Sequence, residues 1–383
     1  MTDHAPLPFD AFRATTAHAT VQPDQGPKPI VLLFADDSTL IFARRMREIL
    51  KTHSPSLEVW MGWLSDENAL SYRQMTQLLP EGPDLVVRNS KIVDLVTSPY
   101  VQAIITSRVF RPLGDEMKKK LVKLQAGRPC VIAFLGGLDF FPKTGFERRR
   151  HCDGVYLFPR SDIPRFENIR ASYDVAWQEI GFGHPSFVMP DRPKPDLDTR
   201  RDIYFFTQAL SPSTRRGRLH MLRVMAAMAR AYPDRTVWIK LRHLPHENQA
   251  HLHRERYDYP GLMATLPDLP DNLKVTADGM DTVLARAAFG VTCTSTAAID
   301  LVRAGVPCMV HLDFVDAYRD QLVAPMRRLF AKSNLITGLD DMLHLRARAP
   351  DPDWLADMFC TPDLASDVLQ TIAQFQDRPF QIR

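Results

Sequence analysis

Short apolar runs alternate with longer amphipathic segments over the first part of the chain, from Pro29 to Gly136. Leu40–Leu50 and Asp115–Leu124 carry apolar residues at three-to-four spacing, which is typical of helices. Strands that are apolar throughout and joined by helices form parallel sheets covered on both faces. The pattern therefore predicts a doubly wound α/β domain. Its predicted strands are Ile30–Ala35, Leu57–Trp63, Asp84–Arg88, Val101–Ser107 and Cys130–Gly136.

The alternation stops at Met189–Asp202, a stretch rich in proline and charge that is typical of an interdomain linker. It then begins again, which predicts a second parallel domain. The predicted strands are Ile203–Gln208, Thr236–Arg242, Leu273–Thr276, Phe289–Cys293 and Cys308–Leu312. The predicted helices are Arg215–Tyr232, Met280–Ala287 and Thr296–Gly305.

The fold class predicted from this pattern is α/β, with two tandem doubly wound Rossmann-like domains, a GT-B-like arrangement with an interdomain cleft. We assign residues 1–27 to a flexible N-terminal lead-in, 28–195 to the first domain and 196–383 to the second. Dehydrogenases and periplasmic binding proteins are also bilobed. The residues at the strand ends must therefore decide the function.

Composition excludes several classes of protein. A formal charge of +3 and a pI near 8.6 are too mild to indicate nucleic-acid binding. The polar, Pro-rich lead-in has no signal-peptide core, and no apolar run is long enough to span a membrane, so we expect a cytoplasmic protein. The five cysteines lack C-x-x-C spacing, which favours neither zinc nor a disulfide framework.

Two basic clusters, Met117–Lys120 and Phe146–Arg150, are candidates for peripheral contact with the inner face of the cell membrane or with an acidic acceptor. The alternative is a solvated surface, which such runs usually form.

The side chains of Thr292 and Cys293 end the apolar run before residue 294, and three hydroxyls follow one another at Thr294, Ser295 and Thr296. The N terminus of a helix has unpaired N–H groups and a partial positive charge, so hydroxyls at this corner predict a phosphate site. The alternative is a simple N-cap, which requires only one hydroxyl.

The segment Lys240–His251 brings further charge to the end of a predicted strand. Its candidate donor-binding residues are Lys240, Arg242, His243 and Glu247, with His246 beside them. Cations beside one acid favour an anionic ligand, because charge-assisted contacts to phosphate are strong. The nearby histidines lack the spacing of a zinc motif.

The first strand-to-helix turn of the second domain, Thr207–Arg218, is also polar. Gln208, Ser211 and Arg218 are its candidate donor-binding residues, although Ser and Thr in such turns also cap helices.

In the first domain, carboxylates follow two predicted strands. Asp36 and Asp139 are candidate catalytic residues, and Gly136 and Gly137 would let an acceptor approach the backbone closely. Asp36 has an alternative role as a helix cap. The D-x-D pair Asp196 and Asp198 lies in the linker, so no metal site is predicted there.

The segments Lys240–Glu247, Val275–Val310 and Pro350–Cys360 resemble a bacterial family of glycosyltransferases. They are more distantly similar to bacterial polysialyltransferases, capsular Kdo transferases and teichoic-acid polymerases of GT-B fold. That wider group has a His-Pro motif and a Ser-Ser or Ser-Thr motif, which bind the phosphate and nucleotide of a CMP- or CDP-linked donor. Ser295 and Thr296 match the second motif, whereas His243 is separated from Pro245 by Leu244.

The resemblance implies an inverting, metal-independent transferase without a cofactor, in which an acidic residue of the first domain deprotonates the acceptor hydroxyl. Asp139 is the first candidate for that base and Asp36 the second, with His243 as a further catalytic candidate. The expected donor is a nucleotide sugar, CMP-linked Kdo or sialic acid, and the expected acceptor is a glycan or glycolipid in surface polysaccharide synthesis. The alternatives are a UDP-sugar transferase, a nucleotide-sugar epimerase, or a non-catalytic binding subunit.

Overall fold

The computed structural model describes residues 26–136, 142–173, 178–189, 196–250, 253–360 and 363–378. The chain divides into two compact units, the first comprising Met1–Met189 with Asp357–Arg383 and the second Pro190–Ala356. Each unit contains one parallel sheet covered by helices. The predicted α/β class, with two Rossmann-like units, is confirmed.

The sheet of the first unit has seven parallel strands in the order β3-β2-β1-β4-β5-β6-β7. The strands are β1 Ile30–Phe34, β2 Val59–Leu64, β3 Leu85–Val87, β4 Ala103–Thr106, β5 Cys130–Phe134, β6 Gly154–Leu157 and β7 Glu179–Phe182. Every residue of β1, β4 and β5 is buried, as expected of strands with helices on both faces. The five predicted strands are all present, and β6 and β7 were not predicted.

Eight helices of the first unit are described: α1 Asp37–His53, α2 Tyr72–Leu78, α3 Ile92–Val96, α4 Arg111–Met117, α5 Lys120–Leu124, α6 Pro142–Arg149, α7 Ile163–Ala171 and the later helix Leu364–Gln376. Asp36 and Thr39 form a capping box that begins α1. The single helix predicted over Asp115–Leu124 was wrong, because the chain leaves the helical conformation at Lys119 and begins a new helix there.

The sheet of the second unit has five parallel strands in the order β10-β9-β8-β11-β12. The strands are β8 Asp202–Phe206, β9 Val237–Lys240, β10 Leu273–Thr276, β11 Ala287–Thr292 and β12 Cys308–Val310. The connecting helices are α8 Arg215–Ala231, α9 Tyr259–Met263, α10 Met280–Arg286, α11 Ala297–Arg303, α12 Val323–Phe330, α13 Leu339–Leu343 and α14 Pro352–Met358. All five strands were predicted.

The division of the chain differs from the predicted boundaries at its later end. The helix Leu364–Gln376, here α15, contributes Leu364, Val368, Ile372 and Phe375 to the core of the first unit, although residues 196–383 were predicted to form the second domain. The hydroxyl of Thr371 on α15 also contacts the hydroxyl of Tyr156 on β6 at 2.9 Å. An amphipathic pattern shows that a helix packs on something, but it does not say on which sheet.

Within the described ranges, no helix is long and apolar enough to cross a membrane. In the same ranges, His, Cys, Asp and Glu side chains do not gather in threes at a distance suited to a metal ion. The five cysteines are all buried as free thiols.

Candidate functional site in the second unit

Polar side chains follow four neighbouring strands of the second sheet. His243 follows β9, Ser211 follows β8, Thr294 follows β11 and His311 follows β12. The strand ends are aligned, since Phe206 of β8 pairs with Lys240 of β9 and with Thr292 of β11. Because the strands are parallel, the residues that follow them lie along one edge, where ligands of open α/β sheets bind.

The hydroxyls of Ser211 and Thr294 are the most informative atoms at this edge. Ser211 is 1% exposed and Thr294 is 0% exposed. Neither hydroxyl oxygen has a hydrogen-bond partner among the described residues. A buried hydroxyl without a partner costs about 1–3 kcal/mol, so such groups indicate a ligand or a water that completes them.

The three consecutive hydroxyls predicted to bind phosphate have different roles. Ser295 Oγ accepts a hydrogen bond from Ala297 N at 3.2 Å, so Ser295 forms a local turn just before α11. Thr296 precedes α11 without a side-chain capping bond, and both residues are half-buried. The Ser295 hydroxyl is therefore engaged by the backbone of its own turn, whereas Thr294 remains a candidate ligand group.

Charged side chains at the end of β9 and in the loop after it form hydrogen bonds with backbone groups of the same loop. Lys240 Nζ donates to the carbonyl of Leu241 at 2.7 Å. Glu247 Oε2 accepts from Leu244 N at 2.8 Å and is buried, so Glu247 stabilises the turn. His243 is also buried, with Nε2 3.2 Å from Asn248 Oδ1, while Arg242 is half-buried.

Arg218, one of the predicted donor-binding residues, is engaged by groups of the protein itself. Its guanidinium donates to the carbonyls of Gln208 at 3.0 Å, Ala209 at 2.6 Å and Pro212 at 2.8 Å. It also forms a buried ion pair with Glu255. All of these contacts lie within the protein, so Arg218 shapes the Gln208–Pro212 turn that presents Ser211.

A second set of residues fixes the same turn, and sequence reasoning missed it. Asp320 Oδ2 accepts from Ser213 N at 3.1 Å, and Asp316 Oδ2 accepts from the Thr214 hydroxyl at 2.9 Å. A Cβ on Gly217 would lie 2.7 Å from the carbonyl oxygen of Val315, so only glycine permits this close approach. The loop after β12 and the start of α8 therefore hold each other in place.

His311 was also missed, because a single histidine after an apolar strand carries no motif. Its Nδ1 lies 3.0 Å from the carbonyl of Thr337, which makes Nδ1 the donor. Nε2 is buried and has no hydrogen-bond partner among the described residues. Burial lowers the pKa of His311, so its ring is kept neutral.

In the first unit, Asp36 is committed to structural contacts. One carboxylate oxygen caps α1 by accepting from Thr39 N at 2.8 Å, and the other pairs with Arg108 Nη1 at 2.9 Å. Gly136 follows β5, where a Cβ would lie 3.4 Å from the carbonyl oxygen of Ser107. Asp139 and Gly137 lie outside the described residues.

The two basic clusters are only partly exposed. Phe146 and Arg149 of the second cluster are buried, and Arg149 Nε donates to the carbonyl of Phe134 at 2.8 Å. In the first cluster, Lys118 and Lys119 pair with Asp115 and Glu116. The prediction that Phe146–Arg150 is a surface run was therefore wrong for its buried members, because a residue's burial cannot be read from its charge.

The sequence of the chain matches one family of known proteins. A model of the family described as "Putative glycosyltransferase (DUF6716)" matches residues 30–375. The chain belongs to this family. The family description and the two Rossmann-like units identify it as a glycosyltransferase of GT-B fold. No curated protein is similar enough in sequence to match.

Solved structures share the fold at low sequence identity. The putative UDP-N-acetylglucosamine 2-epimerase of Listeria monocytogenes has a TM-score of 0.57 and 13% identity, over 93% of this chain and 99% of that one. The UDP-GlcNAc 2-epimerase of Neisseria meningitidis, solved bound to UDP-GlcNAc, has a TM-score of 0.54 and 11% identity, over 90% and 100%. The wall teichoic acid polymerase TagF has a TM-score of 0.50 and 13% identity, over 96% of this chain and 93% of that one.

Proposed function

We propose that this chain transfers a sugar from a nucleotide-sugar donor to a hydroxyl of a glycan or glycolipid, and that the second unit binds the donor. The observation that carries the proposal is the pair of buried hydroxyls, Ser211 and Thr294, without partners at the ends of adjacent strands. Phosphate oxygens only accept hydrogen bonds, so hydroxyl donors held inside the protein complement them.

The preferred donor in this proposal is CMP-linked, with Kdo or a sialic acid as the sugar. Its support is the resemblance of Ser295, Thr296 and His243 to the two motifs of CMP- and CDP-dependent transferases. A CMP sugar has one phosphate, and two hydroxyls with His243 suit a group of that size. Similar structures that bind UDP-GlcNAc make a UDP sugar the alternative donor.

The reaction in this proposal is a single displacement with inversion. A carboxylate takes the proton of the acceptor hydroxyl, whose oxygen attacks the anomeric carbon as the bond to the donor phosphate breaks. The phosphate leaves with the bonding electrons, and fixed donors of the second unit stabilise that developing charge. Asp139 is the proposed base, because the carboxylate of Asp36 is already engaged by Thr39 and Arg108. No cofactor or metal takes part.

The proposed acceptor side includes contact with the inner face of the cell membrane, where glycolipids are found. Leu121 on α5 is 86% exposed and stands beside the exposed Lys118, Lys119 and Lys120. An apolar side chain among lysines suits the surface of an anionic bilayer. Under this proposal the protein acts in the cytoplasm, peripheral to the membrane.

The donor assignment is tested by thermal stability in the presence of CMP, CDP, UDP, GDP and their sugars. A nucleotide at about 100 times its Kd adds about 2.7 kcal/mol to stability, so the true donor class stands out. We expect CMP and CMP sugars to give the largest shift, and the Thr294→Val variant to lose about half of it. A larger shift with UDP than with CMP would overturn the CMP assignment.

The epimerase alternative is favoured by the similarity to UDP-GlcNAc 2-epimerases over at least 90% of the chain. An epimerase converts its nucleotide sugar without an acceptor, whereas a transferase releases sugar to an added glycan. Product analysis with and without an acceptor mixture separates the two. Conversion of UDP-GlcNAc without an acceptor would replace our proposal, and binding without turnover of any donor would indicate a non-catalytic subunit.

A further inference from the structure

The side-chain amide of Asn248 has a defined orientation. Its Nδ2 donates to the carbonyl of Glu255 at 2.7 Å, and Glu255 N donates to Asn248 Oδ1 at 2.7 Å. Rotating the amide by half a turn would place a donor against a donor and an acceptor against an acceptor. The two backbone contacts therefore identify Oδ1 as the oxygen.

That oxygen determines the proton position on His243. Nε2 of His243 lies 3.2 Å from Asn248 Oδ1. An amide oxygen only accepts hydrogen bonds, so Nε2 must carry the hydrogen. We infer that Asn248 is a positioning residue, which fixes the hydrogen of the singly protonated His243 ring on Nε2, so that Nδ1 is the ring nitrogen that a ligand would meet.

The arrangement is connected to the rest of the site. Glu255, which holds Asn248 through its backbone, pairs through its side chain with Arg218. Arg218 in turn binds the carbonyls of the Gln208–Pro212 turn that presents Ser211. This series of contacts therefore links the His243 ring to the turn that presents the Ser211 hydroxyl, as well as to its own loop.

The chemical consequence rests on the proposed function. A neutral ring with its hydrogen on Nε2 presents a lone pair at Nδ1, and a phosphate oxygen also presents lone pairs. His243 therefore contacts a donor phosphate only when Nδ1 is protonated as well. Without Asn248, the ring could place its single hydrogen on Nδ1, and the phosphate contact would no longer require the charged form.

The experiment reads the histidine tautomer by long-range nitrogen–proton NMR of protein labelled with ¹⁵N-histidine, with His243→Ala to assign the signals. We expect the wild-type ring, without ligand, to carry its hydrogen on Nε2. Asn248→Asp loses the donor to the Glu255 carbonyl but keeps an oxygen that accepts from Glu255 N and from Nε2, so the hydrogen should stay on Nε2. Asn248→Leu removes the acceptor, so a mixture of tautomers should appear. The spectra of the other histidines report whether each variant is folded.

Two results would overturn the inference: a wild-type ring with its hydrogen on Nδ1, or an unchanged Nε2 tautomer in folded Asn248→Leu. If Asn248→Leu does not fold, the tautomer of the wild-type ring alone decides the inference. Saturation with CMP should then convert the wild-type ring to the doubly protonated form, whereas part of the Asn248→Leu rings should stay singly protonated, with the hydrogen on Nδ1. If the ring shows the expected tautomer but is not protonated a second time when CMP is added, the result counts against the proposed donor and not against the role of Asn248.

Discussion

Arg218 and Glu255 form an ion pair inside the second unit, with their side chains 2% and 6% exposed. Burial raises the pKa of the Glu255 carboxyl, and the charge and hydrogen bond of Arg218 oppose that rise. Removing charges from water is unfavourable, so the pair persists only because each partner compensates the other. The geometry of the Gln208–Pro212 turn depends on that compensation.

Arg218→Met should lower the free energy of unfolding by about 3–5 kcal/mol, because it leaves the Glu255 charge buried without its partner. The double variant with Glu255→Met should recover a large part of the loss, since no charge then remains buried. Urea denaturation of the two variants at neutral pH measures the difference. A single variant no less stable than the double variant would show that the pair contributes little.

Thr294→Val should separate binding from stability. The valine removes a buried hydroxyl that has no partner, so the folded protein should be as stable as the wild type or more so. Nucleotide affinity in a calorimetric titration should fall about tenfold, the equivalent of one lost hydrogen bond of about 1.4 kcal/mol.

The matched control is Thr371→Val in the first unit. Its hydroxyl is buried like that of Thr294 but contacts Tyr156 at 2.9 Å. This variant should lose stability and keep its nucleotide affinity. Equal affinity in Thr294→Val and the wild type would remove Thr294 from the donor site.

Asp139→Asn should lower kcat by at least about 100-fold with donor affinity nearly unchanged, because a general base acts on the chemical step. Asp36→Ala should instead lower stability by about 0.5–2 kcal/mol, because it removes the cap of α1. Steady-state kinetics and thermal denaturation of both variants provide the comparison. If kcat were normal for Asp139→Asn and strongly reduced for a folded Asp36 variant, the base would be Asp36.

Stability should fall with acidification in part because of His184. Its ring is enclosed by Phe42, Phe134, Phe158 and Phe187, and burial lowers its pKa from 6.5 to about 3. Between those pH values the unfolded chain binds a proton that the folded protein does not bind. Folding therefore loses up to about 1.4 kcal/mol per pH unit as the pH decreases through this range.

His184→Asn tests that slope, because its oxygen can accept from Ser186 N as Nδ1 does in the wild type. Denaturation at pH 7.5 and pH 5 should show a smaller difference for the variant. The same pH dependence in both proteins would assign the effect to other groups, among them His151, whose pKa is lowered to about 4 by burial and by Lys123.

Donor turnover should be unaffected by EDTA, because in the proposed site hydroxyls and His243, and not a metal ion, contact the donor phosphate. Activity assays with chelator, and with chelator followed by magnesium or manganese, provide the measurement. Activity that disappears with EDTA and returns with either metal would contradict the metal-independent mechanism. Asp196→Ala would then show whether the Asp196 and Asp198 pair supplies the ligands.

The sheets could be predicted from the sequence because buried parallel strands are apolar without interruption, as in Ile30–Phe34. The strand Glu179–Phe182 could not, because two of its four residues are Glu and Gly and all are only half-buried. The candidate loops were also predictable, since residues after parallel strands share one edge.

The roles of individual side chains at that edge were not predictable. Arg218 looks like an anion ligand in sequence, and only Glu255, thirty-seven positions later, shows that its charge is already compensated. Asn248, Asp316 and Asp320 carry no motif, because their partners are backbone groups or single hydroxyls elsewhere in the chain. Long-range pairing of this kind depends on the fold and leaves no local pattern.

The placement of α15 in the first unit has a consequence for synthesis on the ribosome. The first sheet emerges early, but its core needs Leu364, Val368, Ile372 and Phe375, which emerge only after the whole second unit. The second unit can therefore complete its folding while apolar surface of the first is still uncovered. Domains usually fold in the order of their synthesis, and here we expect the reverse, with the first unit open to chaperone binding until Leu364–Gln376 arrives.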